Sequence, residues 1–384
     1  MHFVFVERGY PRLIGEVGGA SIYVKTYGNE LIKKGHYVSV ICGKYKGDLK
    51  SYNDNGINVY PDFENHPISY FLRKIPILKN ISNFMRYLEN GLRIRKILKK
   101  INSKNKIDLV EFSEGGDFWT AFNGDYKYFC HLHGSAYIFK KYSGKKIYFS
   151  DWLQRKAETW FIKRSSKIIS PSNIMVDYLN LGKNHKKKVS IIPYPIKITD
   201  DLENRTLIEK KDMNITNLFF ASRNDPIKGG DLLIKSVRLL EERIKNKIVL
   251  NIFGYQPQQN IKDLKFIRLH KFVSREKIKL AYKESDICII PSIFDNSPNT
   301  VYEAMLYSKI IIASDAGGIP EIIGGKGNGY LFKSNDKNDL ALKIKKAFEL
   351  INFGNPYMMR KNAFKRISNY ASLSKNIKMR LALV

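Results

Sequence analysis

Short apolar runs alternate with stretches of helical periodicity along this chain, and the alternation falls into two series. The first series is Phe3 to Val6, Val38 to Ile41, Ile107 to Phe112, Tyr128 to His133, Ile168 to Pro171 and Val189 to Pro193. Most of these runs are nearly continuously apolar, as strands buried on both faces of a parallel sheet are. The second series is Leu218 to Ala221, Ile248 to Phe253, Phe266 to Leu269, Ile287 to Ile290 and Ile310 to Ala313, with helices predicted over Gly230 to Lys245 and Arg275 to Glu284. Strands separated by helices predict an α/β protein of two doubly wound units. Residues 1–195 form the first, closed by the stiff Pro193-Tyr194-Pro195; residues 196–356 form the second, entered through the charged stretch Lys197 to Thr216 read as a linker. Residues 357–384 are a last amphipathic stretch.

Two places in this pattern are suited to bind an anion. Near the start, a strand is followed by a loop ending in Gly18-Gly19 and by the predicted helix Ala20 to Lys34, so bare amides stand at a helix N-terminus. The stretch Ile287 to Glu321 reads as strand, loop, helix, strand, loop, helix start. There Ser297 is placed as an N-cap with Pro298 at the first helical position. Parallel strands open at their C-terminal ends onto such loops, where an open sheet takes its ligand. Asp295 on the loop and Glu303 in the following helix are eight residues apart, so they have separate tasks.

Charge adds a partner class. The formal net charge of +30 over 384 residues suits nucleic acid, an anionic membrane surface or a phosphorylated substrate, and a lysine-rich composition by itself is the plainer account. The segment Ile68 to Lys100 is apolar, aromatic and basic together, with nine basic residues against Glu89. Two readings stand: an element lying on an anionic bilayer, or an amphipathic helix packed inward with a solvated basic face. Cys42, Cys130 and Cys288 lie in or beside apolar runs without metal spacing, as core residues of a reduced, cytoplasmic protein do. His131 and His133 share a strand face but lack a third ligand nearby, and Asp-x-Asp, His-Glu-x-x-His and Walker A patterns are absent, so no metal is expected. No apolar run reaches membrane-spanning length, and any membrane contact is expected to be peripheral, at the inner face.

The motifs resemble those of the GT4-like retaining glycosyltransferases of GT-B fold, which carry Glu, seven residues, Glu, then Ala-Met and a Gly-Gly-x-Pro-Glu loop. Here the second Glu is Glu303, followed by Ala304 and Met305, and the loop is Gly317-Gly318-Ile319-Pro320-Glu321; the first Glu is replaced by Asp295, one methylene shorter. The segment SRNDPIKGGDLLIKS resembles the family's diphosphate motif, with Arg223 and Lys228 in its basic positions. Lys271 stands where the family has Gly before the base-holding loop, here Phe272-Val273.

The resemblance implies two Rossmann-like domains facing a central cleft, with the C-terminal helical segment 357–384 crossing back to the first. It implies that Arg223, Lys228, helix amides and Gly18-Gly19 stabilise a departing diphosphate and that Glu303 holds ribose hydroxyls. It further implies that Asp295, Asn296, Ser297 and the Gly317-Gly318 loop fix the sugar, and that His133 contacts it. Transfer would retain anomeric configuration by same-face attack, without a metal or other cofactor. The donor expected is a nucleotide-diphosphate sugar carrying a hexose, a UDP-sugar favoured although no motif separates it from a GDP-sugar. The acceptor expected is a glycan or lipid-linked glycan of surface polysaccharide biosynthesis. A GT-B-type epimerase or phosphorylase is the nearer rival, and a basic nucleic-acid-binding protein the rival of another class.

Overall fold

The computed structural model describes residues 1–7, 9–11, 19–43, 50–61, 67–75, 78–114, 120, 126–198, 202 and 215–384. The chain divides into two compact units, one of Met1–Pro195 with Leu373–Val384 and one of Ile196–Ser372. Gly18 and most of the expected linker lie outside the described residues.

Among the described residues the first unit is built on an eight-stranded sheet. Its strands are β1 (His2–Glu7), β2 (Tyr37–Cys42), β3 (Tyr52–Asp54), β4 (Ile57–Pro61), β5 (Leu109–Ser113), β6 (Tyr128–His131), β7 (Lys167–Ser170) and β8 (Val189–Ile191), in the order β3-β4-β2-β1-β5-β6-β7-β8. Every pairing is parallel except β3 with β4. Because β1 pairs with β2 on one side and β5 on the other, the winding reverses between β1 and β5, and a crevice opens at the C-terminal ends of those strands. The first five residues of β1 are all buried, as an inner parallel strand requires, and Phe3, Phe5, Val40, Phe112, Phe129 and Ile168 fill the core around it.

The second unit has a parallel sheet of six described strands, β9 (Thr216–Ala221), β10 (Ile248–Phe253), β11 (Ile267–His270), β12 (Ile287–Ile290), β13 (Ile310–Ser314) and β14 (Tyr330–Phe332), in the order β11-β10-β9-β12-β13-β14. Here the reversal falls between β9 and β12. Inner strands β12 and β13 are buried throughout, whereas the edge strand β11 carries Arg268 and is largely open to solvent.

Several expectations are corrected. The helix predicted over Gly230 to Lys245 is two, Gly230–Val237 and Glu242–Lys245. The β3-β4 hairpin and β14 were not anticipated. Helix Tyr357–Tyr370 stays with the second unit, because Ala363 and Ile367 are buried and Arg366 donates to the carbonyls of Glu321 (2.6 Å) and Ile322 (3.1 Å) at the end of helix Ile319–Ile323. The return to the first unit therefore begins at Leu373, with helix Leu373–Leu381. Helix Lys79–Lys104 buries Ile94, Leu98 and Ile101, so its apolar face is spent inside the fold and its basic face is the solvated one. Among the described residues no helix is long and apolar enough to cross a membrane, and the three cysteines are buried without a disulfide.

Candidate active site

In the second unit the loops after β9, β12 and β13 are tied together through their backbones. Asp225 accepts from the N–H of Ile227 (3.2 Å) and starts the short turn Pro226–Lys228. Gly229 follows with φ +74°, and a Cβ there would stand 1.8 Å from the carbonyl oxygen of Pro291, so the loop after β9 rests directly on the end of β12. The N–H of Ile293 donates to the Ile227 carbonyl (2.8 Å) across the same junction. Gly317 repeats the device, with φ +57° and a would-be Cβ 1.8 Å from the Asp295 carbonyl, which accepts from the N–H of Gly318 (2.9 Å).

This backbone latch sets the side chains. Lys228 Nζ reaches the buried Asp295 Oδ2 at 2.5 Å. Lys228, Asp295, Gly317 and Gly318 are thus gathered at the point where the winding reverses. Asn296 is buried beside Asp295. The expected cap at Ser297 is corrected: its hydroxyl lies 2.9 Å from the Tyr302 hydroxyl, and helix Asn299–Leu306 starts after Pro298 without a side-chain cap.

Glu303 projects from the second turn of that helix and meets Arg275 at 3.3 Å. Burial raises its carboxyl above the ordinary range, against the opposing pull of Arg275, the Tyr282 hydroxyl and Lys279. Arg223 is exposed on the loop after β9, and Phe272 is exposed beside Gly254 at the end of β10. Lys271 is exposed as well, while Val273 is half-buried before the N-cap Ser274.

In the first unit, Gly19 opens helix Gly19–Lys33, and His133 lies two residues beyond β6 rather than on it. Both ring nitrogens of His133 are engaged, Nε2 with Glu7 at 2.9 Å and Nδ1 with the Tyr194 hydroxyl at 2.5 Å. Glu114 accepts the backbone N–H groups of His133 (2.7 Å) and Gly134, holding the turn that carries the ring. Burial alone would lower the imidazole's pKa, but Glu7, Glu114 and Glu111 outweigh it and raise it above 6.5.

Below this ring, His131 Nδ1 meets Glu111 at 3.2 Å and is pushed down to about 3 by burial, which keeps it neutral. Burial works against the charged form of Glu111 too, yet Arg380 and His131 bring it down to about 2. Arg380, which is 2% exposed, pairs with Glu111 and lies 4.8 and 4.7 Å over the rings of Tyr23 and Tyr27.

Glu7, Glu114, Glu111, Tyr194, Arg275 and Arg380 were missed from sequence. Glu7 carries a readable signal, an acid ending an apolar strand at the ligand-facing edge. Arg380 carries none, since it meets Glu111 across 269 positions.

Residues 17–200 match the family model described as Glycosyltransferase Family 4, and residues 203–366 match that of Glycosyl transferases group 1. An uncharacterized glycosyltransferase of Methanocaldococcus jannaschii is 26% identical over 365 residues, covering 89% of this chain and 87% of its own. Among solved structures, the sucrose-phosphate synthase of Thermosynechococcus elongatus superposes with a TM-score of 0.76 at 15% identity, over 100% of this chain and 98% of that one. Anabaena HepE, described in complex with UDP-glucose, superposes with a TM-score of 0.70 at 16% identity, over the whole of both chains.

Proposed function

We propose, from the premise that this chain belongs to the GT4-like glycosyltransferases of GT-B fold, that it moves a hexose from a nucleotide-diphosphate sugar to a glycan or lipid-linked glycan acceptor in surface polysaccharide synthesis. The observation that carries this reading is the latch at the second unit's reversal point, where Lys228 and Asp295 meet at 2.5 Å, with Arg223 exposed on the same loop as Lys228. A diphosphate leaving group needs positive charge positioned in advance, and Arg223 and Lys228 can supply it without a metal. Asp295 holds the charge of Lys228 in place until the diphosphate arrives. The sugar's C1–O bond to phosphate breaks, the acceptor oxygen bonds to C1 from the same face, and the acceptor's proton leaves with the diphosphate. Anomeric configuration is retained.

Glu303 takes the ribose hydroxyls, while Asp295, Asn296 and Ser297 fix the sugar. The UDP-glucose named for HepE supports a UDP-sugar as donor. The enzyme works in the cytoplasm, at the inner face of the membrane when its acceptor is lipid-linked.

The test is a screen of UDP- and GDP-hexoses for turnover with chelator present, followed by calorimetric titration of uridine diphosphate into two variants. Glu303→Ala is expected to weaken nucleotide binding at least tenfold. Asp295→Asn is expected to spare binding and impair transfer. Equal losses of nucleotide affinity in both would show that the roles are divided wrongly.

A further inference from the structure

We infer that the first unit carries a bilayer-binding surface made of two short aromatic and basic segments, residues 67–74 and 140–156, whose partner is a membrane containing anionic lipid. In the second segment Tyr142, Ile147, Tyr148, Phe149 and Trp152 are all exposed, Phe149 to 71%. Single exposed apolar side chains are ordinary, but five within eleven residues form a patch that water disfavours.

The patch is held rigidly. Asp151 Oδ2 accepts the N–H of Tyr148 at 2.7 Å and pairs with Lys140 at 2.5 Å, which pins the start of helix Phe149–Arg164. The rings of Phe149 and Trp152 then stack outside the fold, 5.6 Å apart at 19°. Lysines frame the rings: Lys140 and Lys146 stand 4.8 and 5.7 Å from Tyr148, and Lys156 stands 5.3 Å from Trp152. Residues 140–156 carry six basic side chains against Asp151.

The other segment repeats this chemistry. Helix Pro67–Arg73 exposes Ile68, Tyr70 and Phe71, the last to 63%, with Lys74 4.7 Å from the Tyr70 ring. Both segments are braced by one stretch of helix Lys79–Lys104. Its Glu89 accepts from the N–H of Ile68 (2.9 Å), and its Tyr87 hydroxyl accepts from Gln154 Nε2 (2.9 Å). Two residues separate these supports, about 3 Å along the axis and about 200° around it, so the segments stand at one level of this helix, one on each side of it.

Tyrosine and tryptophan rings belong at the headgroup level, Phe and Ile side chains just below it, and each near-surface lysine or arginine adds about 1 kcal/mol on an anionic leaflet. Nucleic acid would use the charge, but Ile68, Phe71 and Ile147 have no match on a phosphate backbone. The surface keeps residues 68–74 of the segment Ile68 to Lys100 expected on a bilayer and leaves out its long helix, whose apolar side is packed inward. It rests on the proposed lipid-linked acceptor for its use alone; vesicle binding is measured without donor, so the two readings fail separately.

The experiment is co-sedimentation of the full chain with phosphatidylcholine vesicles, with and without phosphatidylglycerol, at low and high salt. Binding is expected on anionic vesicles and should weaken steeply as salt rises. The pair Phe149→Ala and Trp152→Ala, and separately Phe71→Ala, should lower the bound fraction, the pair by about tenfold or more, with unchanged Tm. Leu239→Ala, an equally exposed apolar residue of the second unit, should change nothing. The inference is overturned if anionic vesicles are not preferred at low salt, or if the Phe149 and Trp152 changes leave binding intact. It is equally overturned if the same residues govern binding of a single-stranded oligonucleotide while vesicles stay unbound.

Discussion

The two reversal points of this chain are built from similar parts, acids and cations at the C-terminal ends of parallel strands, and they treat them differently. In the first unit the charges are turned inward. His133 is held by Glu7 and Tyr194, Glu114 holds its backbone, and beneath it Arg380 pairs with Glu111 and lies over two tyrosine rings. In the second unit three loops are latched through main-chain contacts at Gly229 and Gly317, which leaves Arg223 in water and Lys228, paired with the buried Asp295, partly open to it. A buried ionic network has no water to replace a lost partner, so its members act on the fold. Cations carried by a latched loop act on a ligand, because the backbone already keeps the loop's shape.

The largest effect should come from Arg380→Met. Removing the cation leaves the carboxylate of Glu111 buried without its compensating charge, at a cost of about 3–5 kcal/mol in chemical denaturation. Glu111 is depressed to about 2, so its contribution is present above its ordinary 4.5 and is lost as pH falls from there toward 2. The variant should therefore differ most from the parent at neutral pH and converge with it in acid; an unchanged midpoint at pH 7 would break the comparison.

Next is Arg223→Ala, exposed on the loop after β9. Turnover should fall on the order of 10²-fold while Tm stays where it was. A drop in Tm with activity retained would place Arg223 among the residues that hold the fold.

Glu7→Gln should have the smallest effect, about 1.5 kcal/mol for one hydrogen bond to a charged ring. The raised pKa of His133 means that its stabilisation is fully present below 6.5 and is lost as pH rises through the elevated value. The gap between parent and variant should accordingly narrow as pH climbs above 6.5, and NMR titration should find the imidazole's pKa lowered in the variant. A pKa that does not move would show that Glu114 and Glu111 alone hold the proton.

What could be read along the chain depended on how far apart the deciding residues lie. Strands such as Ile287–Ile290 and Ile310–Ser314 announce themselves, because a parallel strand covered on both faces must be apolar at every position. The β3-β4 hairpin carries its signal in Asn55-Gly56, both at positive φ, but the strands it joins are too short and half-polar for periodicity to show them. Helix Tyr357–Tyr370 packs within the second unit and only the chain from Leu373 belongs with the first, a division the sequence leaves open because an amphipathic pattern shows that a face will be buried and not against what. At Ser297 local preference pointed to a cap, and the nearby Tyr302 hydroxyl claimed the side chain instead.

By itself, then, the sequence determined two doubly wound units and the strand ends at which their loops gather, because these rest on interactions within a few residues or on a period repeated along one element; the motif that carries Arg223, Lys228, Asp295 and Glu303 was legible through its resemblance to the family. Tertiary structure alone decided that Lys228 meets Asp295 across 67 positions, that Glu7 and Tyr194 close on His133, and that Arg380 returns to pair with Glu111. The first follows from the sheet order that sets β9 beside β12, the others from chain segments that the fold brings over from farther away, and a buried charge settles on whichever partner the packing leaves within reach.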